Sequence, residues 1–140
     1  MIPPKISRRA LIALPGLAAL GPVAAQAGSG ARGALVMFRR RGCGWCDAWD
    51  REVRLRYLAS AAGRRLPLRE LDLDRDRDHG IAWVRPVRFT PTFLVVDTEA
   101  DGDLKGAPER LRIEGYPGED FFWGYIDAFL AAHPDAYPEV

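Results

Sequence analysis

Two cysteines set what this chain can fold into: Cys43 and Cys46, two residues apart in the stretch Gly42-Cys43-Gly44-Trp45-Cys46. They are its only cysteines, and they stand where a continuous apolar run, Ala34 to Phe38, gives way to a helical pattern. A run of that length and character predicts a strand buried on both faces. From Cys46 onward apolar residues return at Trp49, Val53 and Tyr57, with Leu58 beside them, which predicts an amphipathic helix stopped at Gly63. A Cys-x-x-Cys at a strand-to-helix junction reads as a redox-active dithiol.

The chemistry follows from the placing. In the first turn of a helix the backbone N–H groups have no intrahelical partner and the dipole is positive, so a sulfur there is favoured as thiolate. Cys43 is the expected nucleophile. Cys46, one turn further on and on the apolar face, is expected to be more buried, to hold its proton and to attack a mixed disulfide formed at Cys43. No cofactor is needed beyond a Cys43–Cys46 disulfide. A structural zinc site normally takes four ligands, and the chain adds only His79 and His133, far apart and expected at the surface, so no metal site is expected. A purely structural disulfide closing so short a loop would constrain the unfolded chain by only about 2 kcal/mol. Copper(I) can bind two thiolates, which leaves a copper carrier as one alternative to an enzyme and a non-catalytic adaptor as another.

Residues 1–27 read as a cleaved export signal: Lys5, Arg8 and Arg9 are a positive start, Ala10 to Val23 a short apolar region, and Ala25-Gln26-Ala27 a small-residue cleavage site, with cleavage after Ala27. Pro15, Gly16, Gly21 and Pro22 break the apolar region, so a bilayer anchor is the weaker reading. Ser7-Arg8-Arg9-Ala10-Leu11-Ile12 resembles a twin-arginine signal, with general secretion as the other route. Either places residues 28–140, one domain, in a periplasm, where thiols are oxidised unless reduced. Without the signal's three cations, 17 basic residues face 19 acidic ones, and a nucleic-acid binder is excluded by charge.

Leu66 to Leu73 predicts a second strand, followed by a solvated loop from Asp74 to Asp78, and Ile81 to Val84 a short helical turn. Pro91 opens the apolar run Thr92 to Val96, a place where a strand accepts proline. Leu111 to Glu114 is a further short strand, ended by Gly115-Tyr116-Pro117-Gly118, and the two pair as an antiparallel hairpin. Phe122, Ile126, Phe129 and Leu130 give a closing helix stopped at Pro134. The fold class is α/β, a mixed sheet of about four strands with flanking helices. Around the dithiol, Arg39, Arg40 and Arg41 are expected to favour the Cys43 thiolate and to attract an acidic partner or a sulfonate-type adduct. All basic residues but Lys5 and Lys105 are arginine, so the run alone is a weak sign. Trp45, between the cysteines, is expected to be exposed and to touch the partner, and Trp49, Trp83 and Trp123 to be core or half-buried.

With CGWC, the Thr90-Pro91-Thr92 turn and Gly115 before the last helix, the chain from about Ala34 to Ala132 resembles the thioredoxin superfamily. The resemblance implies that Pro91 is a cis-proline beside the dithiol, and that Thr90 offers backbone hydrogen bonds to an extended substrate segment. It also implies a minimal version of the fold, lacking the strand and helix that open classical thioredoxins. Those proteins carry a buried acid six residues before the first cysteine, which helps deprotonate the second; here that residue is Met37. Arg85 to Thr92 and Arg112 to Gly124 look like the SoxS-type small periplasmic thioredoxins of sulfur-oxidation systems. That likeness implies a monomeric reductant that restores a protein disulfide or modified cysteine on a partner such as a sulfur-carrier protein. A membrane thiol transporter would recharge it.

Overall fold

The computed structural model describes residues 32–75, 86–99, 102–104 and 106–139. The export signal, the turn at Ile81 to Val84, and His79 and Trp83 lie outside the described residues. Four strands, β1 (Gly33–Arg39), β2 (Leu68–Asp72), β3 (Thr92–Asp97) and β4 (Glu109–Glu114), form one sheet in the order β2-β1-β3-β4. β1 runs parallel to β2 and antiparallel to β3, which is antiparallel to β4. The parallel pair needs a crossover, and the dithiol helix supplies it.

β1 and β3 are the central strands, and both of their faces are covered. Leu35, Met37, Phe93 and Val95 point into one cluster, with Trp49, Tyr57 and Phe122, while Ala34, Val36, Phe38, Leu94 and Val96 point into another. Two covered faces are the reason Ala34 to Phe38 shows no alternation. The first cluster is the aromatic one: the Trp49 ring lies 5.3 Å from Phe93 and 5.7 Å from Phe122, and Phe93 lies 5.1 Å from Phe122.

The crossover runs through α1 (Gly44–Trp49), a π-helical turn (Asp50–Arg54), α2 (Leu55–Ala59) and α3 (Ala61–Arg65). Its buried residues Trp49, Val53 and Tyr57 are spaced by four, and each four-residue step overshoots an α-turn by about 40°. A π turn takes up more residues per revolution and cancels that drift, so all three stay buried. Gly63 does not stop the helix. The break comes at Ser60, whose extended backbone (ψ 162°) ends α2 and whose hydroxyl then caps α3 by accepting from Gly63 N. Gly63 is there for space, because a Cβ on it would sit 2.1 Å from the Tyr57 carbonyl oxygen. Leu58 lies outside the apolar face and is 51% exposed.

β2 is shorter than the Leu66 to Leu73 run, because Leu66 turns into the core and its carbonyl accepts from the Tyr57 hydroxyl at 2.6 Å. The last helix, α4 (Glu119–Ala132), packs Phe122, Ile126, Phe129 and Leu130 inward, with Glu119 and Asp120 complementing the dipole in its first turn. Among the described residues no helix is long and apolar enough to cross a membrane.

Candidate active site around the Cys43–Cys46 disulfide

Sheet register brings three loops to one end of the molecule. Phe38 pairs with Thr92, and Thr92 pairs with Glu114. The turn at 40–43 after β1, the loop at 89–91 before β3 and the loop at 115–118 after β4 therefore leave the sheet side by side. Because β1 and β2 are parallel, residues 73–75 after β2 leave at the same end. A site outside the carboxyl ends of the parallel strands is the usual location in such sheets.

Cys43 and Cys46 are joined by a disulfide, with Cα atoms 5.2 Å apart. Gly42 takes a left-handed φ of 71°, which turns the chain out of the strand and into the helix. Cys43 is the N-cap of α1, and its Sγ accepts from the Cys46 backbone N at 3.2 Å. Cys43 is half-buried, whereas Cys46 is fully buried and belongs to the aromatic cluster. Met37 belongs to that cluster too and is fully buried, so the carboxylate that classical thioredoxins hold at this position is replaced by a thioether.

The Thr90–Pro91 peptide is cis, and Pro91 is buried. The Thr92 hydroxyl donates to the Phe89 carbonyl at 2.8 Å and closes the turn, while Gly115 N donates to the Pro91 carbonyl at 2.8 Å. The backbone N–H and C=O of Thr90 have no hydrogen-bond partner among the described residues. Trp45 is 66% exposed, and Phe89, which the sequence reading passed over, is 60% exposed beside Thr90. Trp49 is core and Trp123 half-buried under Arg56; His133 is exposed.

The three arginines do not form one free cationic group. Arg39 donates to Asp50 and to Glu70, at 2.8 Å each, and Arg54 bonds the same two carboxylates, making a network of four charges with Asp47 3.9 Å from Arg39 at its edge. The two guanidinium groups hold the Glu70 carboxyl down at about 2, and the carboxylates in turn raise the pKa of Arg39, Asp50 first among them. Arg40 pairs with Asp74 at 3.0 Å. Arg41 and Arg75 make no ion pair among the described residues, and both line a groove of about 500 Å³ with Gly42 and Asp47. A larger hollow of about 830 Å³ lies at the other end of the sheet, around Arg32, Asp97 and Tyr137, away from the sulfurs.

The fold that places a helix-cap cysteine, a buried cysteine and a cis-proline at one end of the sheet has counterparts of known structure. The chain is similar to the periplasmic thioredoxin SoxS from Paracoccus pantotrophus, with 36% identity and a TM-score of 0.60, over 72% of this chain and 98% of that one. The chain belongs to the thioredoxin superfamily. Thioredoxins from Fasciola hepatica (20% identity, TM-score 0.52, covering 71% of this chain and 83% of that one) and Thermus thermophilus (20%, 0.50, 69% and 72%) share its fold. No family model and no curated protein matches the sequence. As a thioredoxin with a Cys-x-x-Cys disulfide, it is a dithiol-disulfide oxidoreductase. Sequence reasoning missed Asp50, Glu52, Glu70 and Tyr116; apart from the Asp50–Arg54 pair, their partners lie 11 to 64 residues away along the chain.

Proposed function

We propose that this thioredoxin is a periplasmic reductant that restores thiols on a protein partner, exported with cleavage after Ala27. The difference between its two sulfurs carries the reading: one caps a helix at the surface, the other is sealed in the core. In the dithiol form, the Cys43 thiolate attacks one sulfur of a partner disulfide, and the partner's other sulfur leaves as thiolate. Cys46 then gives its proton to water and attacks Cys43 Sγ, releasing the partner's first sulfur. Two electrons have passed to the partner and the Cys43–Cys46 disulfide is formed. With Met37 in the cluster that holds Cys46, and no buried carboxylate among the described residues to take its proton, the site suits slow, dedicated reduction. Trp45, Thr90 and Pro91 line the partner's path, with the free N–H and C=O of Thr90 available to an extended segment. Arg41 steers acidic partners, while Arg39 and Arg40 are already paired.

The likeness to a periplasmic thioredoxin supports the location. A sulfur-carrier protein is the proposed partner class and a membrane thiol transporter the proposed electron donor. The test is capture. Cys46→Ser, exposed to periplasmic extract, is expected to form a covalent complex that dithiothreitol dissolves. No such complex, together with no reduction of insulin by the wild-type dithiol, would falsify the reading.

A further inference from the structure

Two hydrogen bonds tie together the segments that meet at the disulfide end of the sheet. Gly115 N donates to Pro91 O at 2.8 Å, and the Tyr116 hydroxyl donates to Glu52 Oε2 at 2.6 Å. Glu52 sits in the π turn that continues the helix carrying Cys46. Contact therefore runs from the dithiol helix through Glu52 and Tyr116 to Gly115, and from there to the cis-proline at the same end of the sheet.

The loop between β4 and α4 spans residues 115–118, and Gly118 O accepts from Phe122 N at its far end. Gly115 (φ 83°) and Gly118 (φ 98°) bound it in left-handed conformations, and Pro117 has no N–H to give. Tyr116 is its inward anchor: the side chain is 9% exposed, it packs in the cluster that holds Cys46, and its hydroxyl reaches an ionisable acceptor. Hydrogen bonds to a charged acceptor are the stronger kind. Burial and the adjacent Glu52 both push the Tyr116 phenol up, so it remains a donor through neutral pH.

We propose that Glu52 and Tyr116 are positioning residues. Their bond holds loop 115–118, and through it Pro91, at a set offset from the dithiol helix, so that a protein segment lying along Thr90 meets the sulfurs in register. The contacts stand on geometry; their consequence for turnover rests on the oxidoreductase reading above. A small aromatic disulfide needs only the sulfur. A protein disulfide needs the loop as well.

The test compares Tyr116→Phe, which keeps the ring, with Glu52→Ala and Glu52→Gln, the last of which keeps an acceptor oxygen. Insulin and dithiobis(nitrobenzoic acid) serve as protein and small-molecule probes, and amide exchange at Gly115 is followed against Phe38 as a fold control. Tyr116→Phe and Glu52→Ala should raise the KM for insulin and speed Gly115 exchange, each by about tenfold, the scale of one lost charged hydrogen bond. Turnover of the small disulfide should move by less than about twofold, Glu52→Gln should restore both readouts, and the double variant should be no worse than either single one. Equal losses on both probes, unchanged Gly115 exchange, or a Glu52→Gln that behaves like Glu52→Ala would each overturn the proposal. If Gly115 exchange responds as expected while the wild type reduces neither probe, the anchoring stands and the oxidoreductase reading falls.

Discussion

The helix that carries the disulfide is fastened differently on its two flanks. Toward β1 and β2 it is held by charges: Asp50 and Arg54 engage Arg39 and Glu70. Toward β3 and α4 it is held by rings, Trp49 and Tyr57 against Phe93 and Phe122, with the Tyr116–Glu52 bond at the margin. The charged flank is partly exposed and so responds to salt and pH, whereas the four rings of the other flank are fully buried and uncharged, and their packing responds to neither. Cys46 lies on the ring flank, fully buried in the aromatic cluster.

The largest break in this comparison comes from the ring side. Trp49→Ala removes a fully buried ring that touches three other aromatic rings, and should cost about 3–5 kcal/mol, read as a fall in the midpoint of urea unfolding. A loss under about 1 kcal/mol would mean that the charges, not the rings, hold the helix.

A smaller effect is expected from Glu70→Gln, about 1 kcal/mol, because the network is only partly buried. Its mark is the pH dependence. The folded protein holds the Glu70 carboxyl at about 2, below the ordinary 4.5, so the unfolded chain binds the proton more readily in between. Stability from this group is complete above about 4.5 and drains away as pH falls through about 2. Acid titration of the unfolding free energy should show this slope in the wild type and a shallower one in the variant, and 1 M salt should narrow the gap between them.

The smallest effect separates the arginines. Arg41→Gln should slow alkylation of reduced Cys43 by about twofold at low salt and less at high salt, an exposed charge near a helix start being worth about 0.3–1 kcal/mol at most. Arg39→Gln should instead lower stability and leave that alkylation rate unchanged. The reverse pattern would mean that the network, rather than the free guanidinium, acts on the sulfur.

Much of the fold was legible because its signals are local. The apolar run at 34–38, the steps from Cys46 to Tyr57, the proline opening β3 and the last helix each announce themselves within a few residues. The helix end was misread because Gly63 answers to a carbonyl six residues earlier in a packed turn, whereas the visible capping residue is Ser60. The pairing of Arg39 and Arg40 was not legible because charge in a sequence carries no partner. Arg39 finds Glu70 only once β2 has docked in register, with Met37 opposite Glu70 and Arg39 opposite Asp72.

By itself the sequence determined the dithiol, its place at a helix start, and the order of strands and helices around it, since spacing and turn chemistry act along the chain. Only the tertiary structure decided that Arg39 and Arg40 are paired, and that Tyr116 reaches Glu52 across 64 residues. Those outcomes depend on strand register and on which faces meet, and neither exists until the sheet has formed.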